Sequence, residues 1–515
     1  MLGCRTATSL LCLVLLACTF RPSLAYCFLP AHERPPDAIS LLDEAYELSC
    51  SFGTEERAMT LTDEAQAAAR VSPERANRWS VEAFELSQQL PKGGNRAPIQ
   101  KNALRALAVN DPDRALALYR EQDLPAESAK PGEPMGEDPR SLGEGTVFQP
   151  VLRHWGYPYV QKLEDLANYL ASTGQYPYAA MAEIASDIGA KHPSEARKII
   201  SDASAGFLRD PGFLSTNEQF VQFIVATHRV ASAPQIRREI QEAVPAIEKP
   251  ENVFSRAKWL ITVTTPAGTT TFNSEREVLL YRLLPLLRTY LPREARKIAT
   301  QYPSLRAAPV VNVDASIESA GAISMQGTSD NPRMRRVLDE SRLFHARELA
   351  RSNPQQALRM AEQITDPGLK PIALVVLAPY FSSTDADRAR AWMQSGKQAF
   401  SKAVDGKLKL RLATALASAY LEEHDPGQAE GFIEQAFHLG VSLFTASTKT
   451  NPQQFPYMAR GYDELVHLTE ITCKLDPDEA GFLVGKTQQV PNPHLRAALL
   501  IAAAEGLGEQ HEENE

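Results

Sequence analysis

The chain has 515 residues, with 54 Lys and Arg against 63 Asp and Glu, for a formal charge of −9. That length is too great for one ordinary compact core. The acidic balance, with no Lys/Arg block, argues against a nucleic-acid partner. Aromatic residues make up only 7%, as expected where Ala and Leu fill helix interfaces.

Residues 1–25 have the layout of a signal peptide. Arg5 supplies positive charge, Leu10 to Phe20 is an apolar run too short to span a bilayer, and Ser23-Leu24-Ala25 is an A-x-A-like cleavage site. A lipoprotein reading competes: Leu15-Leu16-Ala17-Cys18 resembles a lipobox, with Cys18 as the lipidated residue. Both readings predict export. The first gives a periplasmic or extracellular protein, the second a membrane-anchored one. Cleavage after Ala25 leaves Cys27, Cys50 and Cys473. Export permits a disulfide between Cys27 and Cys50, with isolated thiols as the alternative. No later segment reads as transmembrane, because each apolar helix carries charges.

From residue 38 the pattern is Pro-x-x-Ala followed by a bulky apolar residue. It occurs at Pro73/Ala76/Trp79, Pro112/Ala115/Leu118, Pro193/Ala196/Ile199, Pro292/Ala295/Ile298, Pro354/Ala357/Met360, Pro426/Ala429/Phe432 and Pro477/Ala480/Leu483. A further copy has Ala386 in place of the proline, with Ala389 and Trp392. Six copies are preceded by Ser72, Asp111, Asn353, Asp385, Asp425 or Asp476. Such side chains accept hydrogen bonds from the first helical turn, and proline suits the first helical position. An apolar-periodic helix lies in front of several copies, as at Ile99–Ala108 and Leu408–Leu421. Helix, short turn and capped helix make an αα-hairpin. A hairpin cannot bury its apolar face alone, so the copies predict an all-α fold, an α-solenoid of stacked hairpins.

In chain order, residues 38–124 hold the N-terminal repeats and 125–146 read as a Pro/Gly-rich loop. Residues 147–305 form a middle helical region. It is interrupted near 259–272, where β-branched residues around Pro266-Ala-Gly268 allow a small β-hairpin or an extended loop. Residues 306–332 read as a linker, 333–507 as the cleanest repeats and 508–515 as a frayed acidic tail.

Two stretches carry a family resemblance. Leu163, Leu166, Ala167, Leu170, Gly174, Tyr176 and Ala179 resemble the first helix and turn of a tetratricopeptide repeat; Leu416, Ala417, Tyr420, Ala429, Ile433 and Ala436 resemble most of one. Over about half its length the chain is similar to the tetratricopeptide-like superfamily. The resemblance implies stacked helices and a protein or peptide partner, though such domains also occur inside enzymes.

Sites of chemistry are sparse. Ala480-Gly-Phe-Leu-Val-Gly485-Lys486-Thr487 satisfies a loose phosphate-loop pattern, but Asp476-Pro477 starts a helix through it and no strand precedes it. There is no HExxH, Cys-x-x-Cys or G-x-S-x-G, so no catalytic residue, cofactor or metal is assigned. Glu294 and Lys297 read as a surface pair. The candidate contact surface is His154, Trp155, Tyr157 and Tyr159, flat amphipathic side chains after the Pro/Gly-rich loop. Packed entry to the next helix is the competing reading. The sequence therefore predicts an exported, non-catalytic helical-repeat protein of the cell envelope that binds a protein or peptide. The alternatives are an envelope enzyme acting on glycan or peptidoglycan, which a buried or cleft-lining pair of carboxylates would favour, and a structural lipoprotein anchored through Cys18.

Overall fold

The computed structural model describes residues 37–91, 94–121, 139–172, 176–207, 217–248, 259–265, 268–308, 321–326, 332–451 and 455–514. Among them the chain is an all-α solenoid carrying one small sheet. The helices up to the sheet are α1 (Ala38–Ser49), α2 (Thr54–Val71), α3 (Pro73–Gln88), α4 (Arg96–Asn110), α5 (Pro112–Glu121), α6 (Pro139–Trp155), α7 (Val160–Ser172), α8 (Tyr178–Ile188), α9 (Pro193–Phe207), α10 (Asn217–Thr227) and α11 (Ala233–Glu248). Strands β1 (Trp259–Thr265) and β2 (Gly268–Phe272) precede α12 (Glu275–Tyr290), α13 (Pro292–Gln301) and α14 (Pro303–Ala307). Strand β3 (Gly321–Gln326) is followed by α15 (Pro332–Ala350), α16 (Pro354–Glu362), α17 (Leu369–Phe381), α18 (Ala386–Lys402), α19 (Gly406–Glu422), α20 (Pro426–Thr450), α21 (Tyr462–Leu475), α22 (Pro477–Gln488) and α23 (Pro493–Asn514).

A single residue makes most of the tight turns. The Asp111 N–H closes α4 on the Leu107 carbonyl at 2.8 Å, while the Asp111 carbonyl accepts the Ala115 N–H at 3.0 Å and opens α5. Ser72, His192, Leu291, Asn353, Asp385 and Asp476 do the same double duty. Proline disfavours helical backbone in the residue before it, and Ser72 (φ −153°, ψ 83°) and Asn353 (φ −149°, ψ 72°) sit outside the helical region accordingly. Asp385 takes the same conformation with Ala386 behind it, its carboxylate capping Arg388 N at 3.2 Å. Asp111, Asn353, Asp425 and Asp476 cap in the same way, at 3.0 to 3.3 Å. Ser72 corrects the expectation: it makes no cap bond, and its hydroxyl faces Arg75 instead. Every motif alanine is buried, and so is every following apolar residue except the half-buried Phe432.

The helices pack in series, α15 on α17, α17 on α19, α19 on α21, and likewise α2 on α4, α4 on α6, α6 on α8. The two series meet through the chain ends. Helix α23 packs on α21 and α22 and also on α1 and α2. Ala497, Leu500, Ala503 and Ala504 therefore belong to the same apolar core as Leu41, Leu42, Leu61 and Ala65. In effect α23 and α1 form a hairpin from opposite ends of the sequence, inserted between α21/α22 and α2/α3. Gly506 permits the close approach: a Cβ there would lie 2.3 Å from the Glu470 carbonyl oxygen.

Three expectations change. Helix α6 begins at Pro139, inside the 125–146 stretch read as loop. The hairpin near 259–272 exists as β1 and β2, but the stretch read as linker adds β3, giving an antiparallel sheet in the order β2-β1-β3 with Ile261 opposite both Phe272 and Ser324. The acidic end is helical to Asn514 rather than frayed, because Glu509 accepts from Arg70 and Lys474, both at 2.7 Å.

Candidate binding surfaces

The predicted aromatic segment lies at a row of turns. Gly156 (φ 67°, ψ −155°) ends α6 in a backbone region that side chains avoid, and a 3-10 turn, Tyr157–Tyr159, leads into α7. The Trp155 indole N–H donates to the Ala108 and Val109 carbonyls at 3.1 and 3.2 Å, serving the open end of α4. Tyr157 stacks on His192 at 3.6 Å, and its hydroxyl donates to Glu195 of α9, which raises the phenol pKa. Tyr159 packs against Trp155 at 5.7 Å beneath the Lys162 ammonium, which itself pairs with Asp113 of α5 at 2.6 Å. The segment thus ties together the α4/α5, α6/α7 and α8/α9 turns, a job that single-sequence reading missed because the partners are 38 to 49 residues away. His154 stays exposed, and Trp155 and Tyr157 keep 39% and 42% of their surface accessible.

Cys18 and Cys27 lie outside the described residues; Cys50 is exposed. Cys473 is buried, which pushes its thiol up to about 12 and leaves it inert. The phosphate-loop lookalike is helix throughout: Leu483 is buried, the Thr487 hydroxyl donates to the Leu483 carbonyl at 3.0 Å, and Lys486 lies 3.5 Å from Glu434. Lys297 meets Glu294 at 3.8 Å as a surface pair. No group of three or more His, Cys, Asp or Glu among the described residues is placed to hold a metal ion.

A second surface, absent from the sequence reading, is a polar face shared by α15, α19, α21, α23 and α2. Its side chains are reachable by solvent yet hemmed in by protein. On α21, Asp463 and His467 are exposed at one-turn spacing. Burial beside the Arg347 guanidinium drives the His467 ring down to about 4, so it is neutral at physiological pH. Asp63 of α2 is accessible, but the surrounding protein, reinforced by the Glu505 carboxylate, lifts it to about 7. Glu470 is lifted to about 7 by burial and by Glu505 and Glu509. Tyr462, also at this face, is raised by burial and by Asp63. Cations gather on the α15 and α19 side: Arg411 grips Glu340 with two bonds of 2.8 Å, and Arg347 stands beside Arg411. The face runs from basic at α15 to acidic where α2 meets α23. No sequence motif marked it, since its residues converge from helices up to about 440 positions apart in the chain.

No family model matches the chain, and no curated protein matches it. Among solved structures it is similar to one described as "Circular tandem repeat protein with novel repeat topology and enhanced subunit contact surfaces", at 13% identity over 93% of this chain and 99% of that one, with a TM-score of 0.18. The helical-repeat fold rests on the helices described above, and no family is identified for it. Among the described residues no helix is long and apolar enough to cross a membrane.

Proposed function

We propose that this is an exported, non-catalytic helical-repeat protein of the cell envelope, with tetratricopeptide-like hairpins, that binds a protein or peptide along the polar face of α15, α19, α21 and α2. The observation that carries the reading is the accessible but enclosed character of Arg347, His467 and Asp63, as in a groove that surrounds a ligand. Export rests on Arg5, the Leu10–Phe20 run and the Ser23-Leu24-Ala25 site. The test is to purify the tagged mature protein from its own host after mild cross-linking. One dominant partner, lost with Asp463→Ala/His467→Ala and kept with Trp155→Ala/Tyr157→Ala, is the expected outcome. The reverse pattern moves the contact to the aromatic segment, and no partner at all overturns the binding role.

One observation favours a second reading, an envelope enzyme acting on glycan. Asp63 and Glu470 titrate near neutral pH beside Glu505, as general acid and base carboxyls do. Turnover of peptidoglycan by the mature protein, abolished by Asp63→Asn or Glu470→Gln, would establish it. The third reading, a lipoprotein anchored through Cys18, requires globomycin-sensitive processing and ends if cleavage occurs after Ala25.

A further inference from the structure

Arg347 is a half-buried cation whose Nε has no acceptor. It shares one face of α15 with Glu340, Phe344 and Arg351, spaced at three and four residues. Its Nε is enclosed with no hydrogen-bond partner, and its guanidinium makes no ion pair among the described residues. The nearby carboxylates do not resolve this. Glu340 is already held by both terminal nitrogens of Arg411. Glu464 of α21 attracts Arg347 electrostatically without a hydrogen bond. His467, one turn beyond Glu464, is neutral and adds ring nitrogens but no charge. The charges of Glu464 and Glu340 offset the desolvation of the Arg347 guanidinium only in part, since its pKa stays lowered and its Nε has no acceptor. Next to it, Phe344 leaves 59% of its surface open.

We propose that Arg347, flanked by His467 and Phe344, is the receptor for a carboxylate carried by an acidic, extended peptide segment of the partner. This rests on the groove reading above and names the chemistry of its occupant. The guanidinium fork matches a carboxylate in two parallel bonds. A carboxylate suits the site better than a phosphate, because Glu340 and Glu464 already act on this guanidinium and repel two charges concentrated on one group more than the spaced single charges of a peptide. Phe344 supplies an apolar contact for the peptide beside its charge.

The test titrates fluorescein-labelled hexaglutamate into the full mature protein at low salt and reads anisotropy. Acetate and inorganic phosphate serve as competitors and labelled hexaglutamine as control. Hexaglutamate binds and hexaglutamine does not; Arg347→Met weakens binding by about tenfold or more, Arg347→Lys falls between, and Glu464→Gln tightens it. Thermal melts of each variant confirm folding, and Arg347→Lys decides the matter if Arg347→Met unfolds. Equal binding by wild type and folded Arg347 variants overturns the site, as does no binding or better competition by phosphate than by acetate. Capture of the same cross-linked partner by the Arg347 variants also overturns it, while leaving the groove reading intact.

Discussion

Two fully buried carboxyl groups, one in each half of the solenoid, show how differently its regions are built. Asp339 on α15 accepts from Thr365 N, Thr365 Oγ1 and Asp366 N at 2.7 to 2.9 Å and from Arg342 at 2.8 Å. Those bonds outweigh burial and hold its pKa below the usual carboxylate value. Glu64 on α2 has neither oxygen bonded; the nearby Ser49 hydroxyl donates to the Tyr46 carbonyl instead. Burial, helped by Asp63 and Glu82, drives Glu64 up to about 9. Asp339 is a polar tie inside a continuous run of repeats. Glu64 sits beside the junction that α23 and α1 make from opposite chain ends, where carboxyls are crowded and two ion pairs on Glu509 do the holding. Asp339 is satisfied by residues of the next turn, whereas the junction is held by shape and by a few charges.

The comparison breaks hardest at the tie. Asp339→Ala takes the shared acceptor from the Thr365 and Asp366 N–H groups and from Arg342, whose remaining acceptor is the Gln363 carbonyl, and costs about 3–5 kcal/mol. Urea unfolding should show the C-terminal repeats melting first. Next comes shape at the junction. Gly506→Val drives a side chain into the α21 backbone and costs about 2–3 kcal/mol, whereas Gly481→Ala, facing open space on α22, gains roughly 0.5–1 kcal/mol. A Gly506 variant as stable as wild type would mean that α23 does not seal the chain ends in solution.

The junction should also respond to pH with the opposite sign to the tie. Asp63, Glu470 and Glu64 have folded pKa values above their unfolded ones, about 7, 7 and 9 against ordinary values of 3.8 to 4.5. Their stabilisation is therefore present below pH ~4 and is lost as pH rises through 7 and then 9. Asp63, being accessible, contributes less than Glu64 because solvent screens it. The melting temperature should fall between pH 6 and pH 9.5, and Glu64→Met should flatten the upper part of that fall and be more stable than wild type at pH 9.5. Asp339 acts the other way, its contribution vanishing as pH drops through its lowered pKa. A Glu64→Met variant less stable at every pH would show that the carboxyl is bonded after all.

The hairpins were legible because their signal is local: a cap, a proline and an alanine lie within five residues, and each motif alanine is buried as the period requires. Lys486 was likewise placed on a helix by the Asp476-Pro477 start before it. The aromatic segment was visible as residues but not as a clamp, since Trp155 reaches α4 and Tyr157 reaches α9. The α23/α1 hairpin and the polar face were invisible for a sharper reason. Glu505, Asp63, His467 and Arg347 have no spacing in common; only superhelical stacking brings them together.

The smallest effect tests the local rule itself. Asp425 and Ser72 stand at the same motif position, but the Asp425 carboxylate accepts from Gln428 N at 3.2 Å whereas Ser72 makes no cap bond. Removing a working cap costs about 1 kcal/mol. Asp425→Ala should therefore lower stability by that amount in urea titrations. Ser72→Ala should change it by less than about half as much, because the turn there is set by Pro73 and the Ser72 backbone rather than by the hydroxyl. Equal losses at the two sites would mean that Ser72 caps α3 in solution. No loss at either would mean that the proline and the one-residue backbone turn start these helices without help from the side chain.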